Sequence, residues 1–101
     1  MNKLIPTIIQ DSRSKAVYML GYSSARSLEK TRRSGYVWFW SRSRKKLWMK
    51  GEESGNKLKV IEIFSDCDKD TILIKVKLIG KNVCHTENLS CFFTPLSKKI
   101  I

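Results

Sequence analysis

The sequence is poor in acidic residues and has almost no histidine. Nine Asp and Glu stand against twenty Lys and Arg, giving a net charge of +11, and His85 is the only histidine. No apolar run approaches the roughly 18 residues that a membrane-spanning helix needs. Pro6 interrupts the opening segment, which turns polar at Gln10 and so lacks the apolar centre of a signal peptide. We therefore expect a cytoplasmic protein without a membrane span.

Cysteine is also scarce, and its three copies follow none of the common paired spacings. Sixteen residues separate Cys67 from Cys84, six separate Cys84 from Cys91, and there is no CxxC pair. An odd number of cysteines disfavours a framework made only of disulfides, and cytoplasmic thiols stay reduced. Two interpretations remain open: buried thiols that act as small apolar side chains, or metal ligands.

The length of 101 residues is that of one small domain, whose single core is feasible but modest. We find no internal repeat, linker or low-complexity tract. The periodicity predicts an α+β fold in which antiparallel strands dominate and one or two helices are present. Strands are predicted at 4–11, 16–20, 35–44, 47–50, 57–64 and 71–80, and a helix at 25–33, capped by Ser23 or Ser24 and followed by Gly35.

A third of the acids lie in the stretch "DCDKD" (66–70). If the preceding strand continued here, Asp66, Asp68 and Asp70 would project to one side and Cys67 to the other. Three like charges on one face repel each other unless a cation lies between them, and Mg²⁺ prefers such oxygen ligands. The alternative is an exposed turn between two strands, in which aspartate is common.

The thiols and the histidine occupy two segments that flank one predicted strand. Three thiolates and a water molecule would make an open zinc site. His85 follows Cys84 directly, and an imidazole suits proton transfer at neutral pH. It could instead be a fourth zinc ligand, although consecutive residues of an extended segment point in opposite directions.

Basic and aromatic residues concentrate between positions 38 and 50. With a period of two, Trp38, Trp40, Arg42 and Arg44 would share one face, where they could hold a phosphate and stack a base. The alternative is an exposed basic strand with partly buried tryptophans. The loop "KGEESGN" (50–56) could likewise contact an anion or be an ordinary hairpin loop. The candidate substrate-binding residues are Ser41, Arg42, Ser43, Arg44, Trp48, Lys50, Ser54 and Asn56.

Taken together, these segments resemble the phosphoribosyl-AMP cyclohydrolase family. The resemblance covers nearly the whole chain, and its segments occur in family order. They are "LIP" (4–6), "QD" (10–11), "FWSRSR" (39–44), "LW" (47–48), "KGE" (50–52), "SGN" (54–56), "DCDKD" (66–70), "CHT" (84–86) and "SCF" (90–92).

The resemblance implies an intertwined homodimer that uses zinc and magnesium. Its substrate would be phosphoribosyl-AMP, an intermediate of histidine biosynthesis, whose adenine ring is hydrolysed between N1 and C6. Zinc would be held by Cys67, Cys84 and Cys91, in a site shared between subunits, and magnesium by Asp66, Asp68 and Asp70. Beside these ligands, we expect His85 to be the catalytic acid and base. We expect neither nucleic acid nor a membrane as a partner.

The chain departs from the family pattern at two places. Glu87 follows "CHT", where the family usually has Gly, and "GYSS" (21–24) replaces the usual "AYM". Neither change removes a metal ligand. Residues 1–101 read as one cyclohydrolase domain without the fused phosphoribosyl-ATP pyrophosphohydrolase of bifunctional relatives, so we expect the cyclohydrolase step alone.

Two other functions are compatible with parts of the sequence. A small zinc-stabilised basic module that binds nucleic acid would also combine positive charge, aromatics and cysteines. However, three carboxylates beside a thiol would repel a phosphate backbone. A non-catalytic relative that keeps the fold is the second alternative, and the filled metal-ligand positions argue against it.

Overall fold

A computed structural model describes residues 3–96 and contains one helix and six strands in that range. This confirms an α+β fold with mostly antiparallel strands. Three predicted strand bounds were wrong: β2 continues to Ser23, and β3 begins at Trp38 and ends at Ser41. In chain order the elements are β1 (Ile5–Asp11), β2 (Val17–Ser23), α1 (Ala25–Ser34), β3 (Trp38–Ser41), β4 (Lys46–Met49), β5 (Lys57–Ser65) and β6 (Ile72–Ile79).

Four strands form the main sheet in the order β2–β1–β6–β5, and β3 and β4 form a separate antiparallel hairpin. β1 and β6 run parallel, whereas the β1–β2 and β5–β6 pairs are antiparallel. As the alternation predicted, Ile72, Ile74 and Val76 of β6 are buried on one face, whereas Lys77 is exposed. The main sheet therefore has one face on the core.

Local hydrogen bonds set both ends of α1. The backbone amide of Ser27 donates to Ser24 Oγ at 3.0 Å, and the amide of Ser24 donates to Ser27 Oγ at 2.8 Å, which makes a reciprocal cap. Gly35 has a φ of 80° and donates its amide to the carbonyl of Thr31, a conformation that favours glycine. The cap is therefore Ser24 rather than Ser23.

The β3–β4 hairpin packs on the core face beside α1. Val37 and Phe39 are buried with Ile9 and Ile74. The ring of Phe39 lies over Gly21 of β2, where a β-carbon would approach a ring carbon to 2.6 Å. The buried Thr31 hydroxyl accepts the Trp38 amide at 2.9 Å and so connects α1 to β3.

Within residues 3–96, the ten-residue α1 is the one helix, and it is too short and too polar to cross a bilayer.

Candidate active site

A cavity of about 370 Å³ opens between the hairpin and the segment that follows β6. Seven of the predicted site residues line it, coming from three separate stretches of the sequence. They are Arg44, Trp48, Lys50, Ser54, Asn56, Cys84 and His85. The fold thus brings candidate phosphate ligands next to a thiol and the only histidine, which is the combination that a phosphorylated substrate undergoing acid–base chemistry requires.

Cation–π contacts lie around the aromatic ring of Trp48 in this cavity. Arg44 Cζ is 5.8 Å and Lys50 Nζ is 5.9 Å from the ring centroid. Trp48 is in turn held by Phe39, with ring centroids 5.7 Å apart. Two cations around one half-buried ring suit an anion attached to a flat base.

Cys84 and Cys91 meet at the edge of this cavity. Thr86 Oγ1 lies 3.0 Å from Cys84 Sγ, and this contact is the main reason that the pKa of Cys84 is lowered, with smaller contributions from Cys91 and Lys50. Desolvation raises the pKa of the Cys91 thiol, and the neighbouring Cys84 adds to that. A close pair of thiols, one of them favoured as thiolate, is a donor set that fits zinc.

Backbone contacts with β2 hold Cys91 in place. Its amide donates to the carbonyl of Tyr18 at 2.7 Å, and Ser90 Oγ donates to the carbonyl of Val17, also at 2.7 Å. Although the tail is irregular, as predicted, these two bonds fix where its thiol lies.

Cys67 does not join the other two thiols within one chain. It lies in the turn that precedes β6, whereas Cys84 follows the end of β6. The eight residues of β6 span about 26 Å at the usual rise of a strand. Zinc ligation by all three cysteines therefore requires a second copy of the chain.

Of the two interpretations left open for "DCDKD", the exposed turn is confirmed and the continued strand is wrong. β5 ends at Ser65, and the side chain of Asp66 accepts the amides of Asp70 and Thr71 at 3.0 and 3.1 Å. Lys69 adopts a φ of 61°. The segment is an exposed turn between β5 and β6, and Cys67 is not set against the aspartates by strand alternation.

The turn nevertheless brings the three carboxylates together. Oxygen atoms of Asp66, Asp68 and Asp70 lie within 4.8 Å of one another. Hydrogen bonds with Asp66 and Asp70 raise the pKa of Asp68. For Asp66, desolvation is outweighed by the Asp68 hydrogen bond and the backbone amides, and its pKa is lowered. Three exposed carboxylates that repel one another fit a hard divalent cation.

The expected row of tryptophans and arginines on one strand face was wrong as well. Because β3 ends at Ser41, Arg42 and Arg44 lie in the β3–β4 turn. Arg42 turns to Tyr22, with Cζ 4.0 Å from the ring centroid. A second cavity, of about 520 Å³, contains Trp48 together with three further predicted residues, Ser41, Arg42 and Ser43.

Sequence reasoning did not name four polar residues of the first cavity as site residues: Glu52, Glu53, Asn82 and Glu87. Glu87 has a φ of 71°, a conformation in which glycine is favoured, so the family's usual glycine at this position was the available signal. Asn82 carried no such signal, because its partner, Asn56, lies 26 residues earlier.

Comparison with known proteins identifies relatives of the chain. The family model described as phosphoribosyl-AMP cyclohydrolase matches residues 19–93. The chain is 52% identical to the phosphoribosyl-AMP cyclohydrolase of Citrifermentans bemidjiense over 92% of this chain and 74% of that protein. Identity to the same enzyme of Geobacter metallireducens is 53% over equal shares. It is 56% to the histidine biosynthesis bifunctional protein of Buchnera aphidicola subsp. Schizaphis graminum, over 91% of this chain and 44% of that protein. The chain therefore belongs to the phosphoribosyl-AMP cyclohydrolase family, hydrolases of histidine biosynthesis.

Proposed function

We propose that the chain hydrolyses the adenine ring of phosphoribosyl-AMP, breaking the bond between N1 and C6, as a zinc- and magnesium-dependent homodimer. The observation that carries the proposal is the cavity in which Arg44, Lys50 and Trp48 face Cys84 and His85. Phosphate ligands, an aromatic face for a base, a thiol and a proton-transfer group line one cavity. Two further cavities, one beside β2 and one beside α1, do not combine these four elements.

Trp48 lines both the first and the second cavity. This supports a binding mode in which each cavity holds one of the substrate's two phosphates. Arg44 and Lys50, with Ser54 nearby, would bind one phosphate in the first cavity. Arg42, with Ser41 and Ser43, would bind the other in the second. The indole would lie between them, where it can contact the purine ring.

The proposed zinc site is built from two chains. Cys84 and Cys91 would come from one subunit and Cys67 from its partner, because Cys67 lies at the opposite end of β6. Asp66, Asp68 and Asp70 would hold magnesium beside Cys67, close to the substrate phosphates. When bound, zinc would supply a water molecule of lowered pKa and magnesium a positive charge for the phosphates.

An apolar row on the open face of the main sheet supports the homodimer. Strand pairing aligns Leu20, Ile8, Leu73 and Phe64 across all four strands. Leu20 is 42% exposed and Phe64 is 43% exposed. A second copy packed on this row would bury it. A two-fold axis perpendicular to the strands would bring the β5–β6 turn of one copy towards the far end of the other sheet.

Hydrolysis adds a water oxygen to C6 and a proton to N1 as the C6–N1 bond breaks. We assign the delivery of that proton to His85, which is exposed at the cavity beside Cys84. Arg44 and Lys50 would hold the substrate through its phosphates without taking part in the bond change. Their contacts are the same before and during the reaction and would chiefly lower KM.

Ultraviolet absorbance of the opening adenine ring tests the proposed function. Purified protein should convert phosphoribosyl-AMP, lose this activity with a chelator, and regain it when zinc and magnesium are restored. No absorbance change with the metals present would refute it. His85→Ala should lower kcat by about 10²–10⁴-fold while zinc content stays at the wild-type level. Loss of zinc from this variant would make His85 a ligand instead.

A further inference from the structure

Two chain segments form the facing walls of the first cavity. Lys50, Ser54 and Asn56 lie on the loop before β5, and Cys84 and His85 lie on the segment after β6. Chemistry between a substrate held by one wall and groups on the other depends on the distance between the walls. Contacts that connect the two segments therefore bear directly on the reaction.

The side chain of Asn56 makes two hydrogen bonds across this gap. Its Oδ1 accepts the backbone amide of Lys81 at 3.0 Å, and its Nδ2 donates to Asn82 Oδ1 at 2.8 Å. Because a backbone amide can only donate, the first bond fixes which end of the Asn56 amide is the oxygen. Both polar atoms of the side chain thus have a partner within the chain.

Glycines on both sides leave the space that Asn56 fills. A β-carbon at Gly80 would overlap Asn56 Oδ1, and one at Gly51 would overlap the Asn56 carbonyl oxygen. Both glycines have positive φ, 136° and 88°, which other residues rarely adopt. Asn56 is therefore fixed in place by packing as well as by hydrogen bonds.

We propose that Asn56 is a positioning residue. It sets the distance between the loop before β5, which carries Lys50 and Ser54, and the segment after β6, which carries Cys84 and His85. This inference rests on the proposed function, and it replaces direct substrate binding as the role of Asn56. Lys81 and Asn82 are three and two residues before Cys84. A shift at that point moves the chemical groups relative to the bound phosphate.

Two substitutions separate positioning from substrate contact. Asn56→Ala loses both hydrogen bonds, and a displacement of about 1 Å should lower kcat by about 10²-fold with little change in KM. Asn56→Asp keeps the acceptor for the Lys81 amide, and Asn82 can rotate its amide to donate to the new carboxylate. The aspartate variant should therefore retain kcat near the wild-type value. If Asn56 instead contacts a substrate phosphate, Asn56→Ala will raise KM and leave kcat nearly unchanged. The KM of Asn56→Asp does not decide between the roles, because the added carboxylate weakens phosphate binding in either case.

Hydrogen exchange provides a readout that does not depend on activity. The Lys81 amide should exchange faster in Asn56→Ala than in the wild type and stay protected in Asn56→Asp. Ser34→Ala is the matched control: it also removes two loop hydrogen bonds, those with Tyr36, yet should leave kcat unchanged.

The other possible outcomes distinguish failure of the positioning role of Asn56 from failure of the proposed function. An unchanged kcat in Asn56→Ala, in an active preparation, would overturn the positioning role. An inactive wild type would refute the proposed function, while the exchange data would still report whether Asn56 holds the segments together. If Asn56→Ala does not fold, Asn82→Ala removes one of the two bonds and should lower kcat to an intermediate value. An unchanged kcat in that variant would likewise overturn the role.

Discussion

Glu87 is a side chain held in a backbone conformation that favours glycine. Its φ is 71°, and the left-handed region costs a non-glycine residue about 1–2 kcal/mol. Its carboxylate lines the cavity that also contains Arg44 and Lys50. Glu87 therefore adds negative charge to a cavity in which we propose that phosphate binds.

Replacing Glu87 by glycine and by alanine should separate strain from charge. The free energy of unfolding of Glu87→Gly should be about 1 kcal/mol higher than that of Glu87→Ala. In helices and strands the order is the reverse, because glycine there is less stable than alanine. Both variants should lower KM for phosphoribosyl-AMP by a similar factor, because both remove the carboxylate. Urea unfolding and steady-state kinetics measure the two effects. Equal stability of the pair would show that the backbone relaxes without cost.

Asp11 makes the folded state sensitive to acid. The Ser14 amide donates to its carboxylate at 2.7 Å and is the main reason that the pKa of Asp11 lies below its ordinary 3.8. A carboxylate with a lowered folded pKa stabilises the protein fully above its unfolded pKa. That contribution is lost as pH falls through the folded pKa.

The difference in the free energy of unfolding between Asp11→Asn and the wild type should therefore become smaller in acid. At pH 7 the variant should have the lower free energy of unfolding, and the gap should close as pH is lowered below 3.8, the ordinary value. Urea titrations at a series of pH values measure this. Glu29→Gln, on the exposed side of α1, makes the same change of charge and controls for the loss of one negative charge. A gap that is constant with pH would assign the effect to packing.

The β5–β6 turn contains both an aspartate that stabilises the turn and the aspartates of the proposed magnesium site. Asp66 closes the turn through the amides of Asp70 and Thr71. Within residues 3–96, Asp68 accepts no backbone amide, yet hydrogen bonds with its two neighbours raise its pKa. Its carboxylate is thus the one whose removal should disturb cation binding with the least damage to the turn.

Asp68→Asn should raise the magnesium concentration needed for half-maximal activity, because one anionic ligand is lost. Zinc content should stay at the wild-type level, since the cysteines are untouched. Magnesium titration of activity, with metal analysis alongside, measures both quantities. An unchanged magnesium requirement would place the magnesium elsewhere. Asp70→Asn, which leaves the Asp70 amide bonded to Asp66, should behave similarly.

Local signals in the sequence predicted the helix and strands better than they predicted how these elements pair and contact one another. Ser24, Gly35 and the alternation along β6 act through neighbours in the chain, so α1 and β6 were correctly predicted. The parallel pairing of β1 with β6 and the bond between Asn56 and Asn82 join distant segments and left no local pattern. The candidates that came together in the first cavity were named from their chemistry, but only the fold shows that Arg42 and Cys67 lie outside it.

At the scale of the whole molecule, the open face of the main sheet predicts self-association. Phe64→Lys adds a charge to the apolar row and should convert the proposed dimer into monomers. Activity should be lost with it, because the proposed zinc site draws its ligands from two chains. Sedimentation velocity and activity are the measurements. Ala25→Lys adds the same charge to the exposed start of α1, on the other side of the sheet, and should remain dimeric. A dimeric Phe64→Lys would exclude this face as the interface.

The distance between Cys67 and the Cys84–Cys91 pair predicts that two differently mutated chains can complement each other. If each centre draws on both chains, a Cys67→Ser chain and a Cys91→Ser chain are each inactive alone but can complement each other. In a mixed dimer, the intact Cys67 of one chain meets the intact Cys84 and Cys91 of the other, which restores one of its two centres. Equal co-expression with random pairing makes half of the dimers mixed, so about a quarter of wild-type activity should return. Two defective alleles would then support growth without histidine where neither does so alone.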